Sequence, residues 1–127
     1  MKNEKQFLVL LAEEDVHLAD IYTKFLKESG FKVITEKNGE TVLEVVKKRK
    51  PDIIILETVL SNMDGFSVLE ILKLGRTTRS IPVILLTSIG QKEDVERALS
   101  LGAVEYLLKP HTKPEDLVRK INKILKN

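Results

Sequence analysis

The segments Ile53-Ile54-Ile55-Leu56 and Val83-Ile84-Leu85-Leu86 are unbroken runs of large apolar residues, each shorter than an ordinary helix. A strand with one wet face alternates apolar and polar residues. A run without alternation must be covered on both faces, as in a parallel sheet flanked by helices. Around these two runs, short apolar segments alternate with longer ones at helical spacing, which predicts strands near 6–12, 32–36, 52–57, 81–86 and 104–108. Leu18, Ile21, Tyr22, Phe25 and Leu26 form the inward stripe of a first helix stopped by Gly30, and Val42, Leu43, Val45 and Val46 that of a second after Asn38-Gly39. Phe66, Leu69, Ile71 and Leu72 mark a third helix, and Val95, Ala98, Leu99 and Leu101 a fourth ending at Gly102. Ser88 with Gln91, and Thr112 with Glu115, have the spacing of capping boxes, and Pro114 falls in the first turn of a last helix reaching about Leu125. The connection from Gly75 to Ser80 is the most polar and is expected to move.

Strands alternating with helices, joined by right-handed crossovers, make an α/β doubly wound sheet whose site lies outside the carboxyl ends of the strands. The residues at those ends are Glu13 and Glu14, Glu57, Thr87, and Lys109 followed by Pro110. Adjacent carboxylates with a third from a neighbouring strand suit a hard divalent ion such as Mg²⁺. Like charges about 4 Å apart repel by on the order of 4 kcal/mol at an effective dielectric of 20, so a cation is required. Lys109 supplies one permanently and a metal supplies one on demand, an arrangement fit to stabilise a phosphoryl group with Thr87 donating its hydroxyl.

A chain of 127 residues, 43% hydrophobic and 31% charged, fits one domain over 1–127. A net charge of +2 is too mild to argue for direct nucleic-acid binding, and the absence of cysteine excludes disulfides and thiolate metal sites. The opening Lys2-Asn3-Glu4-Lys5 is not an apolar leader, and no run approaches the roughly 20 apolar residues of a spanning helix, which predicts a cytoplasmic protein without membrane contact. Lys92, Arg97, Lys113, Arg119, Lys120, Lys123 and Lys126 read as a basic solvated face on the last two helices, and His17 and His111 as surface residues.

Taken together, Leu10-Leu11-Ala12-Glu13-Glu14-Asp15, Pro51 to Glu57, Asn62-Met63-Asp64-Gly65-Phe66, Ile81 to Ser88, Leu101-Gly102-Ala103 and Tyr106 to Pro110 resemble the response-regulator receiver domains of two-component signalling. The resemblance covers nearly the whole chain. It implies a flavodoxin-like receiver fold, with a five-stranded parallel sheet in the order 2-1-3-4-5 and five helices. It also implies that Glu13 and Glu14 are the Mg²⁺-binding acidic pair, Thr87 the switch hydroxyl with Ser88 beside it in the phosphate pocket, Tyr106 the switch aromatic and Lys109 the pocket lysine. Glu57 then stands at the position of the phosphorylated aspartate. This is a departure from the family pattern, as are Ser61 in place of a proline and the Glu-Glu pair where an Asp is usual.

An extra methylene displaces the Glu57 carboxylate against a positional tolerance of about 0.5 Å in catalytic sites. It also carries the charge toward Lys109. The expectation is a receiver module that acts by protein–protein contact, without turnover and without ordinary phosphorylation. It would offer its fourth helix, fifth strand and fifth helix to a histidine kinase or a downstream effector, as a monomer or weak homodimer. Mg²⁺, held by Glu13, Glu14 and Glu57, would bind weakly and not be obligatory. The alternatives are a working phosphoacceptor in a phosphorelay and, less favoured because no glycine-rich phosphate loop or general base accompanies the carboxylates, a metal-dependent phosphohydrolase.

Overall fold

The computed structural model describes residues 6–126, so the expectation concerning Lys2 to Lys5 lies outside the described residues. Five parallel strands, β1 (Leu8–Ala12), β2 (Lys32–Glu36), β3 (Ile53–Leu56), β4 (Val83–Thr87) and β5 (Glu105–Leu108), form one sheet in the order β2-β1-β3-β4-β5. The helices α1 (Val16–Glu28), α2 (Gly39–Arg49), α3 (Gly65–Leu74), α4 (Lys92–Ser100) and α5 (Pro114–Leu125) alternate with them, and a short 3₁₀ turn spans Lys109–His111. This is the doubly wound, flavodoxin-like receiver architecture expected from the sequence.

The unbroken apolar runs resolve into two faces with period two. Leu10, Ala12, Ile54, Leu56, Val83 and Leu85 point to one side, where α2, α3 and α4 cover them with Val42, Val46, Phe66, Leu69, Leu72 and Ala98. Val9, Leu11, Ile53, Ile55, Ile84 and Leu86 point to the other, against Ala19, Tyr22 and Leu26 of α1 and Leu117 and Ile121 of α5. The stripes are narrower than predicted. Ile21, Ile71 and Leu99 are exposed because each projects from the solvent side of a helix that only one sheet face covers.

Helix starts are set by side chains at the carboxyl edge of the sheet. Asp15 accepts from Leu18 N at 3.1 Å, Asn38 from Glu40 N at 2.8 Å and Asp64 from Ser67 N at 3.0 Å, so each cap satisfies an otherwise orphaned helix N–H. Two predicted capping boxes are displaced. Helix α4 starts after Gln91 with no side-chain cap rather than at Ser88, since β4 runs on to Thr87 and the chain needs further residues to turn back. At α5, the Lys113 backbone N–H donates to Asp116 at 2.9 Å, while Thr112 turns its hydroxyl to Leu108 O at 2.8 Å. Pro114 does occupy the first turn. Helix α4 carries Glu93, Asp94 and Glu96 beside Lys92 and Arg97, so of the last two helices α5 alone is net basic.

The polar α3–β4 connection is tied down rather than loose. Thr78 is buried with its hydroxyl on Leu72 O at 2.6 Å, and Lys73 Nζ donates to Arg79 O at 3.0 Å and Ile81 O at 2.8 Å.

Gly65 fixes where α3 begins relative to the site. A Cβ built there would lie 2.2 Å from the Glu57 carbonyl oxygen, so only glycine lets the helix start press against the end of β3. Gly65→Ala is expected to lower the urea-unfolding free energy by about 1–3 kcal/mol through overpacking, whereas Ile71→Ala, on the exposed side of the same helix, should change it by no more than about 0.5 kcal/mol.

Candidate functional site

Four of the five strands deliver polar groups to the same edge, where their apolar runs end. Strand β1 ends at Ala12 and is followed by Glu13, β3 at Leu56 and is followed by Glu57 and Thr58, β4 ends in Thr87, and β5 is followed by Lys109. Glu13, Glu57, Thr58 and Thr87 are all buried, with Glu13 only 3% and Glu57 only 6% exposed. The central β1-β3-β4 pairing places them side by side: Ala12 is in register with Leu56, and Leu56 with Leu85.

Lys109 Nζ sits between two of the carboxylates. It is 2.8 Å from Glu13 Oε1 and is ion-paired with Glu57 Oε1, and its side chain is 14% exposed. The other oxygens are equally engaged. Glu13 Oε2 accepts from Asp15 N at 3.1 Å, and Glu57 Oε2 accepts from Thr58 N at 2.6 Å, Thr58 Oγ1 at 3.1 Å and Val59 N at 3.2 Å. Burial pushes the Glu57 carboxyl pKa up, but the Lys109 ammonium, the nearby Thr87 hydroxyl and the Val59 N–H hold it below the usual carboxylate range. Burial likewise pulls Lys109 down, and the two glutamates carry it above the ordinary lysine value. The pair is therefore fully ionised at neutral pH.

Glu14 is not brought into this pocket. It is exposed, and its carboxylate accepts from Ser61 Oγ at 3.1 Å. Among the described residues no group of three His, Cys, Asp or Glu side chains could hold a metal ion. The expected Glu13-Glu14-Glu57 set thus does not fit Mg²⁺ in this arrangement: an ammonium stands between the two buried carboxylates, and the third points to the β3–α3 loop.

Thr87 meets Glu57 through a residue that sequence reasoning passed over. Thr58 Oγ1 lies 2.8 Å from Thr87 Oγ1, and Thr87 Oγ1 accepts from Ile89 N at 3.2 Å. A hydroxyl residue directly after the strand-end carboxylate was the available signal for Thr58. Tyr106 is half-buried against the α2–α3–α4 core and donates its hydroxyl to Ile89 O. Burial, then the charges of Asp94 and Glu57, raise its pKa. Ser88 is exposed beside this chain of contacts, and His17 and His111 are also exposed.

The sequence pattern of the response regulator receiver domain matches residues 9–122. The chain is 31% identical over 126 residues to "Probable transcriptional regulator ycf27" of Pyropia yezoensis, covering 99% of this chain and 50% of that protein. It is 29% identical over 118 residues to the phosphate regulon transcriptional regulatory protein PhoB of Klebsiella pneumoniae, covering 93% of this chain and 51% of that protein. The chain spans about half the length of these curated relatives. Among solved structures it is similar to the BeF3-activated N-terminal receiver domain of RstA from Klebsiella pneumoniae, with a TM-score of 0.87 and 26% identity over 94% of this chain and 99% of that one. The signal receiver domain of a signal transduction histidine kinase from Syntrophus aciditrophicus gives a TM-score of 0.86 and 30% identity over 94% of this chain and 90% of that one.

Lys109→Met leaves two carboxylates buried together and should lower the unfolding free energy by about 3–5 kcal/mol, a loss that shrinks when Glu57→Gln is added. The pH dependence has a defined sign. With its pKa lowered on folding, Glu57 contributes stability that is present above the unfolded value of about 4.3 and lost as pH falls through the folded value. Lys109, raised on folding, contributes stability that is present below about 10.4 and lost as pH rises through its folded value. Urea midpoints of wild type and Glu57→Gln should accordingly converge on acidification below pH about 4.

Proposed function

The chain belongs to the response regulator receiver domain family, and we propose that it is a standing-charge member of it, signalling by protein–protein contact with Glu57 in place of a phosphorylated residue. The observation that supports this is the saturation of the Glu57 carboxylate. One oxygen is ion-paired with Lys109, and the other accepts from two backbone N–H groups and the Thr58 hydroxyl. A carboxylate so held has its lone pairs largely committed to these donors rather than to an incoming phosphorus. Its charge occupies the place where a phosphoryl group would attract the same lysine. The imitation is partial, since a phosphoryl group carries about −1.5 to −2 charge and three acceptor oxygens.

Receiver domains typically bind Mg²⁺ for phosphorylation. In this reading Lys109 provides the compensating charge instead, so the metal is dispensable and Glu13 serves to anchor the lysine. The domain is cytoplasmic, does not contact nucleic acid itself, and works as a monomer or weak homodimer without catalytic turnover.

The partner, a histidine kinase or a downstream effector, meets the face formed by α4, β5 and α5. Leu99 of α4 and Val104 before β5 are exposed apolar residues on this side. Next to β5 a cavity of about 440 Å³ is lined by Leu107, His111, Thr112, Asp116, Arg119, Lys120 and Lys123. Three of these residues, Arg119, Lys120 and Lys123, are cationic against one carboxylate, Asp116, which favours an acidic partner surface.

Intact mass after incubation with Mg²⁺ and a small acyl-phosphate donor tests the proposal. The wild-type chain is expected to gain no stable phosphoryl adduct, and Glu57→Asp, by shortening the side chain, to recover at least partial phosphorylation. A stoichiometric gain in wild type that disappears in Glu57→Gln would establish the working phosphoacceptor instead. Calorimetry should find no micromolar affinity for Mg²⁺.

A further inference from the structure

The hydroxyl of Thr58 has a place in the site that neither the family pattern nor the residues expected at the pocket account for. Its side chain is buried, at 3% exposure, between the Glu57 carboxylate and the Thr87 hydroxyl. Proton bookkeeping orders the chain. A carboxylate oxygen can only accept, so Thr58 spends its single hydroxyl proton on Glu57 Oε2. Thr87 must then donate to Thr58 Oγ1 across their 2.8 Å contact. Thr87 in turn receives the Ile89 N–H at 3.2 Å. Every donor from Ile89 to Glu57 points toward the negative charge, and such aligned hydrogen bonds polarise one another in a water-poor setting. The carbonyl of the same Ile89 residue accepts the Tyr106 hydroxyl.

We infer that Thr58 is the positioning residue that couples the charge on Glu57 to the β4–α4 loop and to Tyr106. The Thr87 hydroxyl is 2.8 Å from Thr58 Oγ1, which itself meets Glu57 Oε2 at 3.1 Å, so an intermediate hydroxyl links the loop to the carboxylate. Removing the charge from Glu57 changes what Thr58 can donate to, frees its proton to turn toward Thr87, and reverses the Thr58–Thr87 hydrogen bond, so that Thr87 accepts from both Thr58 and the Ile89 N–H. Removing the Thr58 hydroxyl uncouples the two ends while the Lys109–Glu57 pair stays in place. The inference rests on the reading of Glu57 as a standing charge and adds the route by which that charge reaches the partner-facing side.

NMR of the Ile89 amide and the Tyr106 ring tests it in a double-mutant arrangement. Glu57→Gln is expected to shift both sets of resonances and to speed Ile89 amide exchange in the wild-type background and in Thr58→Ser, which restores a hydroxyl. In Thr58→Val, and in Thr58→Ala should the valine variant fold poorly, the same Glu57→Gln change should leave both sets unmoved. A merely structural threonine would show no rescue by serine and no loss of the Glu57 effect. If the shifts persist in Thr58→Val or Thr58→Ala, the relay is overturned and the standing charge is not. If Glu57→Gln moves nothing in the wild-type background, the standing-charge reading itself fails.

Discussion

The placement of the Lys109 ammonium between Glu13 and Glu57 is the constraint on which the rest of this site depends. Two carboxylates at the water-poor end of a parallel sheet repel each other strongly and lose solvation, and one cation in contact with both offsets each effect. The lysine can reach that point because β5 ends beside β4 and the 3₁₀ turn after it starts at Lys109 itself. Burial opposes ionisation in both partners, yet the Glu57 pKa is lowered and the Lys109 pKa raised, so mutual attraction and hydrogen bonding outweigh desolvation.

That cation also organises the neighbours. With one Glu57 oxygen committed to Lys109, the other is left to the backbone N–H groups of Thr58 and Val59 and to the Thr58 hydroxyl. The β3–α3 loop is thereby wrapped around the carboxylate, and Gly65 lets α3 close against the Glu57 carbonyl behind it. Ser61 in the same loop holds Glu14 outside the pocket, and its carbonyl accepts the Gly39 N–H at 3.0 Å, which ties the loop to the start of α2. The acidic pair adjacent in sequence is thus divided by the tertiary structure into an interior anchor and a surface hydrogen-bond acceptor.

Of the five α-helices, α4 is the least buried: Ala98 is its one buried residue. Arg97 lies over the Phe66 ring at 4.4 Å, so a cation–π contact joins α4 to α3. A helix held this lightly, next to a loop whose backbone is bonded to both Thr87 and Tyr106, is suited to respond to the site.

How much of this was legible in the chain follows from which properties are local. The unbroken runs at Ile53–Leu56 and Val83–Leu86 required a sheet covered on both faces, and the residue ending each run identified Glu13, Glu57, Thr87 and Lys109 as groups at one edge. Both facts depend on period and chain order, which sequence carries directly. Helix starts were less legible, because Ser88 and Thr112 had the right spacing but tertiary contacts moved the first turns to Gln91 and Lys113. What only the tertiary structure decided is which oxygen meets which donor. Glu13 turns in and Glu14 out, Thr58 stands between Glu57 and Thr87, and the Lys109 ammonium meets both buried carboxylates, because side chains choose partners by distances of an ångström across strands far apart in the chain.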